Sequence, residues 1–425
     1  MTTAAPGSAT PIEAGLDESR RTLFKNASSL FAGQAVGLVV PLLTIPYLAR
    51  VLGPAAWGPV LAAQALGYWL LLVFEFGFEL SGTRAVARAR AGAEAMSEVV
   101  HGVQSAKALL VVGAAPLVAA IIILVPSLRH NAELIGWAFA FAVLRGLSPL
   151  WFFQGIERVH GAVAVDTVTR ALAALAVFAV VRDPSDGWRV IALQALFAAV
   201  ALVVLTRGLN RHVRLRRPEF GAARRTLREG SSIFACRAWS GVYIQANAFV
   251  LSLLAGPAVV AFFGAAERIV RGAINLLQPL TQAFVPRVSF LHASDQSAAR
   301  RTVRHALLAV GLFGAAIGLV AVVAAPLLVH VLLGSGYLAA IPVLRLLGAL
   351  PLLIAVNTVM GLYWAIPFGH ERLLLGAIVA AGVANVAAAI VLVPHWGAAG
   401  MAVSAIIAEV VVFCVLGSRY VQRGA

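Results

Sequence analysis

A chain of 425 residues that is 61% hydrophobic and 12% charged, with a mean hydropathy of +0.90, has too little polar surface to fold as a soluble domain. Its net charge of +15 would fit a nucleic-acid binder, but the basic residues gather in short segments between apolar runs, which excludes that partner. Cys236 and Cys414 each sit inside an apolar run and read as small buried hydrophobes, so neither a disulfide nor a metal site is expected.

Residues 1–19 are polar and rich in Ala, Pro, Gly and Thr, and are expected to form a disordered cytoplasmic tail. No short apolar stretch with a cleavage site marks them as a signal peptide. Apolar runs then fall near 23–49, 56–80, 104–126, 132–153, 162–181 and 188–206. A second set falls near 231–254, 258–283, 305–332, 340–366, 373–393 and 398–417. Each can cross a bilayer, which takes ~20 apolar residues. The expected fold is an all-α polytopic membrane protein of about 12 helices. With the N-terminus in the cytoplasm, about 22 Lys/Arg lie on the cytoplasmic side and about 4 outside, so both termini are placed inside. The external loops are too short for a catalytic domain.

The chain repeats itself at an offset of 203 residues, which lays Ser28-Ser29 on Ser231-Ser232 and Gly53-Pro54-Ala55 on Gly256-Pro257-Ala258. Six helices per half keep both halves in the same orientation, a parallel repeat with the substrate site expected between them. The lobes are expected at 20–206 and 230–425, joined by the arginine-rich cytoplasmic linker 207–229.

Five arginines lie deep in apolar runs: Arg145, Arg170, Arg237, Arg268 and Arg271. Each would cost about 2.5–3.5 kcal/mol facing lipid, so they must line a wet cavity or pair with acids. In the eighth run Arg268, Arg271, Asn275, Gln278 and Gln282 are spaced three, four, three and four apart and share one helical face. That stripe lines a cavity or makes a polar helix–helix contact. Glu267 is one turn from Arg271, and Asp166 one turn from Arg170, both spaced for ion pairs. Gln64, Tyr68, Glu75 and Glu79 are expected on one face of the second helix, with the acids at the cavity mouth or paired with Arg84. Lys25 and Lys107 are placed at the mouth or snorkelling to headgroups. Arg345 and Glu409 have no readable partner. Asp166, Glu267 and Glu409 are the candidate coupling acids. A cavity lined by guanidinium forks suits a phosphate-bearing substrate.

Three stretches carry a family resemblance: Pro46 to Pro54 with Trp57-Gly58, Phe74 to Phe78 running to Gly82-Thr83-Arg84, and Trp151 to Glu157. Pro342 to Leu347 and Gly397 to Gly400 echo it later. In these the chain, from about residue 20 onward, resembles the polysaccharide transporters, the O-antigen flippases of the multidrug/oligosaccharidyl-lipid/polysaccharide (MOP) superfamily. The resemblance implies two six-helix lobes opening as a V. It implies a multi-pass protein of the bacterial cytoplasmic membrane that moves undecaprenyl-diphosphate-linked repeat units outward, driven by an ion or proton gradient. It also implies work beside polysaccharide polymerase and chain-length proteins. Related lipid II flippases carry two further helices for which no room is found. A drug or ion antiporter of the same superfamily is the first alternative; the first helix here carries Gln34 and no acid. A polytopic glycosyltransferase or polymerase is the second, with Asp183 and Asp186 the only nearby external acid pair. Neither lysine lies in a P-loop, and no cofactor is expected.

Overall fold

The computed structural model describes residues 11–90, 92–124, 129–214, 216–245, 247–278, 281, 288, 290–291 and 295–424. Every regular element among them is helical. The first half holds α1 (Pro11–Glu75), α2 (Phe78–Ala89), α3 (Ala93–Leu124), α4 (Ala132–Gly146), α5 (Leu150–Gly155), α6 (Val159–Val180) and α7 (Gly187–Leu209). The second holds α8 (Phe220–Gln245), α9 (Asn247–Leu254), α10 (Pro257–Ile274), α11 (Gln296–Val323), α12 (Ala340–Leu347), α13 (Leu350–Val359) and α14 (Glu371–Gly424).

These elements trace the twelve expected spans. α1 is two spans laid end to end and broken at Gly53, whose φ of 67° is a left-handed geometry that favours glycine. α14 is broken the same way at Gly397, with φ 52°. Pro257 opens α10 at its first turn, where a missing N–H costs nothing. Eight stretches of described helix are long and apolar enough to cross a membrane, and α10 is not among them. Its own Glu267, Arg268 and Arg271 lower its hydropathy.

One expectation about the second span is corrected. Phe76 and Gly77 take positive φ values of 45° and 75°, which ends α1 at Glu75 and restarts the helix as α2. Glu75, the last residue of α1, still follows the face of Gln64 and Tyr68, whereas Glu79 lies beyond the break and does not continue it. The expected linker 207–229 is partly helical. α8 begins at Phe220 and packs along α3, where a Cβ on Gly102 would sit 2.5 Å from the Thr226 hydroxyl.

The motifs of the family resemblance build local knots. Gly82 leaves room for the Trp151 ring, and the Thr83 hydroxyl donates to the Trp151 carbonyl at 3.0 Å. Arg90 donates to the Gly155 carbonyl at 2.7 Å and pairs with Glu157 at 2.9 Å, which holds the exposed Glu157 carboxyl below the usual carboxylate range. This knot lies at the end of the molecule that carries the basic segments Arg84–Arg90 and Arg207–Arg228, here called the basic end.

The buried side chains divide unevenly between the two ends. At the end opposite the basic one, a single core takes residues from both halves: Leu48, Trp57, Val60 and Leu61 pack with Leu251, Val260, Phe263, Val329 and Tyr337. At the basic end the halves have separate cores. Val86, Val103, Phe152 and Leu205 serve the first half, joined by Ala223 of α8, and Val303, Val359, Tyr363 and Trp364 serve the second. The halves thus share one core at one end; at the basic end α8 bridges them, packing along α3 with Phe234 stacked on Phe76, while the cores themselves part in a V open toward the basic end.

α11 begins beside a basic segment and is capped by Asp295. Its carboxylate accepts from the N–H groups of Ser297 at 2.9 Å and Ala298 at 3.0 Å. The Ala298 N–H first, with the Ser297 hydroxyl and N–H, holds this carboxyl below the ordinary value of about 3.9. A lowered folded pKa means the cap contributes in full above that ordinary value and is lost as pH falls through the lowered one. Hydrogen-exchange protection factors at the first turn of α11, taken against the intrinsic rate at each pH, should therefore be unchanged from pH 8 to 5 in the wild type, and Asp295→Ala should lower them across that whole range.

Candidate functional site

A cavity of about 670 Å³ lies between the halves, under the shared core. α1 contributes Thr44, Gln64 and Tyr68; α4 and α5 contribute Arg145 and Gln154; α6 contributes Asp166, Thr169 and Arg170; α7 contributes Gln194. From the second half come Arg268 and Arg271 of α10 and, just beyond it, Asn275.

Each guanidinium is held differently. Arg145 reaches Asp166 with both terminal nitrogens, and Arg170 pairs with the same carboxylate from one turn along α6. Asp166 is buried and Arg145 nearly so, whereas the Arg170 side chain is 54% exposed. One carboxylate thus serves two cations on two helices. Arg271 pairs with Glu267 at 2.8 Å, and Glu267 also faces Asn247 at 3.4 Å. The amide of Asn385 donates to Asn247 at 2.8 Å, extending this chain into α14. Arg268 pairs with no carboxylate among the described residues. It donates to the Gln64 side-chain oxygen at 2.6 Å and lies 5.8 Å from the centre of the Trp57 ring, a favourable cation–π position. Among the described residues, four guanidiniums line the cavity, and Asp166 on its wall and Glu267 behind Arg271 offset two of them, which leaves a surplus of two positive charges among these side chains.

The expected stripe on the eighth span holds for Arg268, Arg271 and Asn275. The helix then tightens into a 3-10 turn over Asn275–Leu277, which shifts the angular spacing, and the exposed Gln278 does not line the cavity. Gln282 lies outside the described residues. Lys25 and Arg237 lie on described helices, but their side chains fall outside the description.

Lys107 is neither at the cavity mouth nor snorkelling. It is buried, and its ammonium donates to the carbonyls of Gly146 at 2.6 Å and Ser148 at 3.2 Å, the orphan acceptors where α4 ends. Glu75 and Glu79 are close enough to interact with it electrostatically. Glu409 is buried away from the cavity and accepts from the Asn357 amide at 2.8 Å. Asp183 and Asp186 cap a short turn, where Asp186 accepts from the N–H of Arg182 at 2.9 Å and pairs with Arg189 at 2.8 Å.

Gln194 was not singled out from sequence. Its signal is an amide in the otherwise apolar stretch Val190 to Val204. Gln154 was visible only inside the Trp151–Glu157 motif.

Helices in two parallel halves around a cationic central cavity define a multi-pass membrane carrier with the MOP fold. The chain belongs to the family described as polysaccharide biosynthesis protein, which matches residues 23–292. Among curated relatives, the "Putative O-antigen transporter" of Escherichia coli (strain K12) is 27% identical over 373 residues, 86% of this chain and 89% of the relative. Its namesake in Shigella dysenteriae is 27% identical over 91% of this chain and 97% of the relative. Among solved structures, the lipid II flippase MurJ in an inward closed conformation aligns over 92% of this chain and 86% of its own, with TM-score 0.70 and 11% identity. An inward-facing multidrug resistance MATE transporter of the MOP superfamily aligns over 91% of this chain and 98% of its own, with TM-score 0.64 and 15% identity. An outward-facing MATE form gives 0.56.

Proposed function

We propose that the protein is a flippase that moves undecaprenyl-diphosphate-linked oligosaccharide repeat units across the bacterial cytoplasmic membrane by alternating access. The observation that carries this reading is the surplus of two positive charges among the described side chains of the cavity, the complement of a diphosphate diester. The family and the O-antigen transporter relatives, matched over nearly their whole length, support the same substrate class. The basic end faces the cytoplasm, following the charge bias of the loops, so the V admits substrate from the inner leaflet.

The diphosphate sits among Arg268, Arg271 and Arg170, and Arg145 acts through its grip on Asp166. Arg170 is the most exposed of the four and turns toward a phosphate oxygen at the least cost. Asn275, Gln154 and Gln194 offer amides to sugar hydroxyls. The isoprenoid tail stays in the bilayer between the halves. Coupling to an ion or proton gradient runs through Glu267 in preference to Asp166, because protonating Asp166 would strand two guanidiniums at once. The 1–19 tail, the lobes 20–206 and 230–425, and any polymerase or chain-length partners complete the proposal.

The test replaces Arg268 and Arg271 singly by Ala in the host. At wild-type protein level, each variant is expected to lower surface glycan at least tenfold while lipid-linked repeat units accumulate inside. Unchanged surface glycan in both would overturn the reading. A cationic drug as cargo predicts no glycan change at all.

A further inference from the structure

Three of the four described cavity guanidiniums pair with a carboxylate of their own half: Arg145 and Arg170 with Asp166, Arg271 with Glu267. Arg268 is held across the division. It stands on α10 and donates to Gln64 on α1 at 2.6 Å. Gln64 is buried, and its own amide is fixed by donating to Gln194 on α7 at 3.2 Å. The contact is the innermost rung of a seam between α1 and α10. Gly58 lies against the Pro257 carbonyl, and Gly264 leaves a gap filled by Leu61, where a Cβ would sit 2.9 Å from the Leu61 methyl. Gln64 and Arg268 follow one turn further along each helix, at the wall of the cavity.

Arg268 is also the cavity cation with the weakest partner, a neutral amide oxygen. An incoming phosphate oxygen offers a charge-assisted bond, roughly twice as strong, at the same guanidinium. Cargo phosphate and the opposite half therefore compete for one side chain. We propose that Arg268 is the loading sensor. Binding of a diphosphate lipid takes Arg268 from Gln64, removes the inner rung of the seam, and frees the joined end to part. This rests on the flippase reading for the identity of the anion. The trigger is the phosphate and not the sugar.

The test uses the full chain in lipid nanodiscs, with Cys236→Ala and Cys414→Ala as background. Spin labels are placed at Ala55→Cys and Gly256→Cys, two exposed positions in the turns at the joined end. The probes are undecaprenyl diphosphate and, as the phosphate-free control, undecaprenol. In the wild-type seam, undecaprenyl diphosphate should lengthen the label distance and undecaprenol should not. Gln64→Leu should populate the long distance without ligand about tenfold more, the equivalent of one hydrogen bond to a charged group, and still bind undecaprenyl diphosphate. Gln64→Glu gives Arg268 a competing carboxylate, so it should keep the short distance and bind the lipid at least tenfold more weakly. A misfolded variant would not produce opposite shifts. An unchanged ligand-free distance in Gln64→Leu with binding retained would overturn the latch alone. Failure of the wild type to bind undecaprenyl diphosphate would overturn the flippase reading and the phosphate trigger with it.

Discussion

Replacing Asp166 with Ala is expected to destabilise the first half more than any other single change in the cavity. Asp166 is buried and serves both Arg145 and Arg170. Removing one partner of a buried ion pair costs about 3–5 kcal/mol, because the charge left behind has no water to solvate it. Here the stranded charge is Arg145, whose side chain is only 18% exposed. Arg170 can turn to the wet cavity and loses little. The expected results follow that asymmetry. Asp166→Ala should lower the thermal midpoint in detergent and the yield of folded protein, and Arg170→Ala should leave both near wild type. Arg145→Met combined with Asp166→Met should recover most of the lost stability, since a well-packed apolar pair is often neutral against an ionic one. Transport should stay lost in that double variant. If Asp166→Ala melts like the wild type, the carboxylate is not the counter-charge of Arg145.

The second large effect is expected at Gly58. A Cβ there would collide with the backbone carbonyl of Pro257, which cannot rotate away as a side-chain tip could. Gly58→Val must push α1 and α10 apart at the joined end. Overpacking of this kind costs about 1–3 kcal/mol, and it falls only on the conformation in which the seam is shut. The population with the joined end open should rise roughly five- to a hundred-fold. Reactivity of a cysteine at Ala63 toward a membrane-impermeant maleimide reads this directly. Transport should fall severalfold while folded yield holds. Gly113→Ala is the control, since a Cβ there meets nothing within 4 Å. Equal reactivity in both variants would exclude the seam as the closing contact.

The twelve spans were legible because apolar length and Gly-Pro breaks are local signals. The same holds for the Glu267–Arg271 and Asp166–Arg170 pairs, which are set by the helical repeat. Contacts between helices were not legible. Arg145 finds Asp166 across 21 residues and Arg268 finds Gln64 across 204, and no spacing rule connects such pairs. Lys107 misled for a related reason. A lysine near a span end fits snorkelling equally well until the orphan carbonyls of Gly146 and Ser148 appear beside it. Gln278 leaves the stripe begun on α10 because a single 3-10 turn changes the period. Phe76 gave no warning of its positive φ, since an aromatic side chain rarely takes one. Its compensation is a face-to-face stack on Phe234, with centroids 4.1 Å apart.

A joint at one end and parted cores at the other make the molecule a lever. The 18 residues of α10 span about 27 Å. A tilt of ~20° about the joined core therefore moves the far end by roughly 9 Å while atoms near the fulcrum shift by a small fraction of that. Such gearing explains why the smallest residues stand at Gly58 and Gly264, where little travel is available. The long cationic side chains stand further along the arms, where the gap changes most.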